Sequence, residues 1–233
     1  MLHQAISRAV IAVALICGIS AVIESVPAMA SVPAWGVDGP NSQTADLNAV
    51  FQVLQARGVT QYRVGANLAD NTDSYEVQMY TDMVALAKTY GITLKPILFT
   101  PFQWGDRTDG GKYPAGDENA LYQQGYNRTY SFVNNFKNDI NDWELGNEIN
   151  LIALDASGNH LYDAGWTASE FDMPSMNDWG AVLHGMSDAI TQINAESGAH
   201  LRRALNTTST MFGFLDFMAS KMRSLRDHLL SLL

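Results

Sequence analysis

Cysteine is almost absent from this 233-residue chain, which contains only Cys17. That residue sits in an apolar run near the start, so the rest of the chain can build neither a disulfide framework nor a thiol nucleophile. Basic residues are also sparse: 14 Lys and Arg stand against 24 Asp and Glu, a formal charge of -10. Such a balance argues against a nucleic-acid partner, whose phosphates require a basic face. The five histidines, His3, His160, His184, His200 and His228, lack ligand spacing, so no metal site is expected. No Gly-x-Ser-x-Gly elbow points to a serine hydrolase. Gly36-Val37-Asp38-Gly39-Pro40 also lacks the spacing of a dinucleotide-binding glycine loop. With 7 Pro, 18 Gly, 47% hydrophobic and 16% charged residues, the composition is that of an ordinary globular protein, one domain by default.

One long hydrophobic run is present. Arg8 precedes an apolar stretch from Ala9 to Ile23, and Ala28-Met29-Ala30 has the small-x-small pattern of a cleavage site. The run is short for a spanning helix and is followed by Glu24 and Pro27. Residues 1–30 therefore read as a secretory signal peptide, and 31–233 as a secreted domain with no stable membrane insertion after cleavage. The spacing of Asn127-Arg128-Thr129 and Asn206-Thr207-Thr208 matches the glycosylation sequon, a short pattern of little weight.

From Ala34 onward short apolar runs alternate with helical patterns, as in βα units on a parallel sheet. Strands are expected at Ala34 to Val37, Gln61 to Ala66, Ile92 to Phe99, Ile140 to Gly146 and Leu201 to Thr208. Between the first two, Leu47, Val50, Phe51 and Leu54 recur at helical spacing up to Gly58. After the second, Asp73 and Glu76 suggest a capping box, and Val77, Tyr80, Val84 and Ala87 an inward stripe ending at Gly91. Further helices are expected around Asn119 to Phe136, along Trp179, Leu183, Met186, Ile190 and Ile193, and from Met211. Pro96 suggests a bulge or a distorted ladder in the third strand. Long loops follow strands three and four, the face on which parallel α/β proteins assemble their sites. A Rossmann-like or flavodoxin-like sheet would show the same alternation.

The segment Asn141-Asp142-Trp143-Glu144-Leu145-Gly146-Asn147-Glu148 carries the chemistry. Strand alternation puts Glu144, Gly146 and Glu148 on one face, with Glu148 at the open carboxyl end. A carboxyl group preceded by an amide side chain suits glycosidic bond hydrolysis, where an acid protonates a poor leaving oxygen and a donor holds a sugar hydroxyl. Glu144, one layer deeper, reads as a structural hydrogen-bonding group. Arg63 in Tyr62-Arg63-Val64 can be an ion-pair partner for Glu144 or Glu148. Trp104, with Phe102 and Tyr113 in the loop after strand three, can stack on a sugar ring or pack that loop. Trp35, Trp166 and His160 are weaker candidates.

Gly146-Asn147-Glu148 at a fourth strand resembles the Asn-Glu of glycoside hydrolase clan A, retaining (β/α)8-barrel glycosidases that include cellulases, mannanases and arabinogalactanases. The resemblance runs from about Trp35 to Phe217. It implies Glu148 as general acid/base, Asn147 as the ligand of the sugar 2-hydroxyl, and Arg63 as the second-strand arginine that orients the carboxylates. It implies a carbohydrate substrate and no cofactor. The fold class expected is α/β, a TIM (β/α)8 barrel that is incomplete, with about five βα units. Clan A enzymes take their nucleophile from strand seven, and after cleavage roughly 200 residues would remain where the barrel typically takes roughly 250. The expectation is thus a truncated or frameshifted barrel lacking its nucleophile, with 221–233 the suspect tail. The competing expectations are a non-catalytic carbohydrate-binding or scaffold protein, and an inverting hydrolase using Asp38, Asp70 or Asp106.

Overall fold

Alternating burial along β2 (Val59–Asn67) shows how the layers are arranged. Tyr62, Val64 and Ala66 are buried, whereas Gln61, Arg63 and Gly65 between them are only partly covered. One face of the sheet therefore packs on helices and the other is open to solvent. The computed structural model describes residues 35–39, 46–68, 74–100, 117–152, 166–171, 174–207 and 212–220. The leader-like segment 1–30, Phe102, Trp104, Tyr113, Asp70, Asp73, Asp106, His160 and the tail 221–233 lie outside these residues.

The other strands are β1 (Trp35–Asp38), β3 (Thr93–Phe99), β4 (Asp142–Leu145) and β5 (Arg202–Leu205). The helices are α1 (Leu47–Ala56), α2 (Ser74–Tyr90), α3 (Glu118–Phe136), the single turn α4 (Ile149–Ile152) and α5 (Pro174–Ser197). Residues 212–220 form α6. The sheet order is β1-β2-β3-β4-β5, and every adjacent pair is parallel. A doubly wound sheet reverses its strand order at a switch point. This one runs on in a single direction, as the wall of a (β/α)8 barrel does. Among the described residues the fold is therefore an incomplete TIM barrel of five βα units, and the Rossmann-like alternative is excluded.

Local chemistry accounts for the helix limits. The Asp46 side chain caps α1 by accepting from the Ala49 amide at 3.1 Å, and Asp117 caps α3 through Asn119 at 3.3 Å. Gly58 and Gly91 follow α1 and α2 at φ 71° and 65°, the left-handed geometry that ends helices and favours glycine. Glu76 is buried, and its carboxylate accepts from the Asn67 amide at 2.8 Å, tying α2 to the end of β2.

Between sheet and helices, Tyr80, Val84 and Ala87 of α2 are buried, as the stripe predicts, together with Met79 and Met83. Tyr80 meets Phe132 edge-on at 5.1 Å, and Phe132 meets Trp143 of β4 edge-on at 6.3 Å. Such pairs add ~0.5–1.5 kcal/mol each beyond the apolar area they bury.

Two strand expectations need correction. Pro96 causes no bulge: the register from Gln61 to Asn67 against Thr93 to Phe99 is continuous, with Val64 opposite Pro96. The ladder to β4 involves only Ile97 and Leu98, beyond the proline, and among the described residues the sheet's register shifts between Trp35 and Gly36 instead. Strand β4 also stops at Leu145, short of Gly146, because the chain turns into left-handed backbone at Gly146, φ 69°.

Helices α3 and α5 pack at unusually close range. A Cβ on Gly125 would overlap the Val182 carbonyl, and one on Gly185 would overlap the Tyr122 carbonyl and crowd the Tyr126 amide. Backbone cannot yield as a flexible side chain does, so Gly185→Ala should lower stability by ~1–3 kcal/mol through overpacking. Urea denaturation reads this directly, and an unchanged midpoint would mean that the two helices separate freely.

Candidate active site

The inner face of the sheet is unusually ionic. Barrel interiors are dominated by bulky branched side chains, yet this face carries Asp38, Arg63, Lys95, Asp142, Glu144 and Arg202. The register explains their proximity: Asp38 lies opposite Arg63, Arg63 opposite Lys95, and Asp142 opposite Arg202. In parallel strands, partners in register share a face.

Arg63 is the hub. Its Nε donates to Glu144 Oε1 and Oε2 at 3.1 and 3.0 Å, and its Nη2 donates to Glu144 Oε2 at 2.8 Å. Nη1 donates to Asp38 Oδ2 at 2.9 Å, and Nη2 reaches Asn147 Oδ1 at 3.1 Å. One planar guanidinium thus links β1, β2, β4 and the turn after β4, a fork geometry that an ammonium cannot reproduce. The hydrogen bonds to Glu144 outweigh the cost of burial and, with the charges of Glu144 and Asp38, raise the Arg63 pKa above its usual value. Because arginine only donates, its contact identifies the facing atom of Asn147 as the oxygen and orients Nδ2 as that side chain's donor.

Glu148 lies beyond the strand rather than on it. Its φ of 51° is left-handed, uncommon for any residue other than glycine. The alternation that would put it on the face of Glu144 therefore ends at Leu145. What fixes Glu148 is its backbone amide, which donates to Asn206 Oδ1 at 3.0 Å. The Asn206 Nδ2 donates to Glu144 Oε2 at 2.9 Å. Asn206 follows β5, so its amide joins the ends of β4 and β5 and connects Glu148 to the Arg63 hub. The Glu148 side chain is part-buried at this end of the sheet.

Of the residues singled out in the sequence, Arg63 and Asn147 are in direct contact, and Glu148 joins them through Asn206. Trp104 lies outside the described residues. Trp35 and Trp166 are 68% and 64% exposed, too uncovered to form the wall of a closed pocket. A cleft of about 360 Å³ is lined by Asp38, Arg63, Lys95 and Glu144, with Gly36, Val37 and Gln61, and its lining stops short of Asn147 and Glu148. Asn206 was missed because its sequence context suggested only a sequon. Its one legible signal is positional, an asparagine following strand five as Asn147 follows strand four. Among the described residues no cluster of His, Cys, Asp or Glu could hold a metal ion.

A second ionic row runs below the first. Asp142 accepts from Arg202 Nε and Nη2 at 2.5 and 2.9 Å and pairs with Lys95 Nζ. Burial raises the Asp142 pKa, but the hydrogen bonds and charges of Arg202 and Lys95 outweigh that effect and leave it below the ordinary carboxylate value.

No protein-family model and no curated protein matches this sequence. Solved structures do match its fold. A β-glucosidase from Thermotoga maritima, in complex with a methoxycarbonyl-substituted glucoimidazole, superposes with a TM-score of 0.51 at 13% identity, over 74% of this chain and 48% of that one. The virulence factor SghA from Agrobacterium tumefaciens gives a TM-score of 0.50 at 11% identity, over 68% of this chain and 35% of its own. The chain thus spans half or less of the length of these structures. At such identities the likeness establishes the barrel fold and leaves the chemistry to the site.

Two outcomes test this geometry. Asn206→Ala leaves the Glu148 amide without its acceptor and Glu144 without a donor, so thermal melting should show a loss of ~1–3 kcal/mol; a loss below about 0.5 kcal/mol would mean that solvent replaces the bridge. For Asp142, the folded pKa lies below the unfolded value of ~3.9. Its contribution is therefore complete above that value and disappears as pH falls through the folded one. Melting temperature should drop less steeply in acid for Asp142→Asn than for the parent, and parallel profiles would remove Asp142 from the acid response.

Proposed function

We propose that this protein acts on O-glycosidic bonds of a poly- or oligosaccharide, with Glu148 as the general acid/base of a retaining mechanism. The observation that carries this reading is the tethering of Glu148 by Asn206 beside an Arg63-Glu144-Asn147 cluster, just past the fourth strand of an all-parallel barrel sheet. Left-handed backbone at a non-glycine residue costs ~1–2 kcal/mol and persists where the surroundings enforce it, often at functional sites. Among the described residues the Glu148 carboxylate has no hydrogen-bond or salt-bridge partner, so it is available to a ligand. In this reading Glu148 protonates the departing oxygen while a carboxylate from outside the described residues attacks the anomeric carbon, Asn147 Nδ2 donates to a sugar hydroxyl, and Arg63 holds both supports in place. Export of the protein through residues 1–30 is part of the same proposal, since a polysaccharide substrate lies outside the cell.

A retaining reaction also requires an attacking carboxylate ~5–5.5 Å from the acid. Asp38 and Glu144 are both bound to Arg63, and Glu144 also accepts from Asn206, which withdraws their lone pairs from attack. That observation favours a second reading in which the barrel binds carbohydrate without cleaving it.

A single experiment distinguishes the readings: hydrolysis of neutral polysaccharides and aryl glycosides, run beside equilibrium binding to the same polymers. Under the first reading Glu148→Gln lowers kcat/KM on polymers by about 10²–10⁴-fold, the usual worth of a positioned general acid. The loss should be smaller on aryl glycosides whose leaving group needs no protonation. Binding without turnover by the parent protein would select the second reading, and full turnover by Glu148→Gln would remove the assignment of Glu148.

A further inference from the structure

The outer surface carries a groove unrelated to the barrel mouth. It has a volume of about 520 Å³, lies between α3 and α5, and is lined by Tyr122, Gln123, Tyr126, Asp188, Thr191 and Gln192. Tyr122, Tyr126 and Tyr130 recur every four residues along α3, so they share one side of that helix. Their rings are nearly parallel: Tyr122 and Tyr126 lie 6.2 Å apart at 27°, and Tyr126 and Tyr130 lie 6.0 Å apart at 12°. The glycine contacts at Gly125 and Gly185 hold α3 and α5 at close range and set the width of the groove.

Two of the three tyrosine hydroxyls are matched to carboxylates of α5. Tyr122 donates to Asp188 Oδ2 at 3.0 Å, and Tyr130 donates to Glu196 Oε2. Burial, then the charge and hydrogen bond of Asp188, push the Tyr122 hydroxyl up to about 12. Tyr126, midway between them, feels both carboxylates, yet among the described residues its hydroxyl has no hydrogen-bond partner. Between these two satisfied hydroxyls, that of the half-buried Tyr126 is open to an external donor or acceptor.

We propose that this groove is a second carbohydrate-binding site, which takes a neutral oligosaccharide segment of the polymer away from the barrel mouth. The class of ligand rests on the carbohydrate reading of that mouth, while the location rests on the groove alone. The rings of Tyr122 and Tyr126 in the groove lining offer apolar surface to the CH face of a pyranose ring. The Gln123 amide, the Gln192 amide oxygen, the Tyr126 hydroxyl and Asp188 Oδ1 supply the mixed donors and acceptors that sugar hydroxyls require, while Gln192 Nε2 is held by Glu196 and Asp188 Oδ2 by Tyr122 and His184. Two carboxylates exclude anionic polymers. An ammonium ligand would be better served by rings converging around a point than by a strip whose planes differ by only 12° and 27°.

Affinity electrophoresis of the full chain through gels containing a soluble β-glucan, a galactomannan or an arabinoxylan tests the proposal. At least one of these polymers should retard the parent protein. Tyr126→Ala should raise the apparent Kd for that polymer at least tenfold, and Gln123→Ala should raise it severalfold, with melting temperatures close to that of the parent. Glu148→Gln should be retarded like the parent, which separates this groove from the barrel mouth. Equal retardation of the parent and Tyr126→Ala would overturn the site, as would a parent retarded by none of the three polymers. Turnover by the parent in either of those cases would leave the proposal for Glu148 standing.

Discussion

A single guanidinium holds the mouth of this sheet together. Arg63 stands in the second strand with carboxylates from the first and fourth on either side, and three of its nitrogens are engaged at 2.8–3.1 Å. Without it, Asp38 and Glu144 would be like charges on neighbouring positions of a partly covered face, and the Asn147 oxygen would lose its donor. The cost of removing one partner from such a cluster is set by the charges left behind, more than by the bonds lost. The inner surface can therefore be ionic where a complete barrel is usually apolar.

The second constraint is the turn after β4. Gly146 and Glu148 both take left-handed backbone, and only the first is a glycine. The Asn206 side chain offsets the strain at Glu148 by accepting from its amide while donating to Glu144. A carboxyl-bearing residue is thus held at the end of the barrel by a bond to its backbone, and among the described residues its own carboxylate has no hydrogen-bond or salt-bridge partner. The proposal of Glu148 as acid/base requires such an arrangement.

On the outside, the same economy of glycine serves a different purpose. Gly125 and Gly185 bring two long helices into backbone contact, and the tyrosines flanking Gly125 then lie across carboxylates of the facing helix. The groove is a by-product of close packing, and among the described residues the Tyr126 hydroxyl takes part in that packing through no hydrogen bond.

The order of elements was readable from the chain because its periodicities are strong. Leu47, Val50, Phe51 and Leu54, or Tyr80, Val84 and Ala87, can bury one face only as helices, and the runs between them can be satisfied only as buried strands. Alternation along the strands likewise pointed to an acidic residue on the inner face at Glu144, and left Arg63 with that carboxylate as a possible partner. It failed at Glu148, since a left-handed turn breaks the period of two and its signal, one glycine followed by two polar residues, is shared by countless loops. Asn206 was invisible for a different reason: its role depends on β5 lying beside β4 in register, a fact of hydrogen bonding across 62 residues of sequence. Local pattern determined which segments form the barrel wall and which residues face inward. Only the tertiary structure decided which inward groups meet, because side-chain networks across parallel strands are set by register, and register is a property of pairs of strands rather than of either one alone.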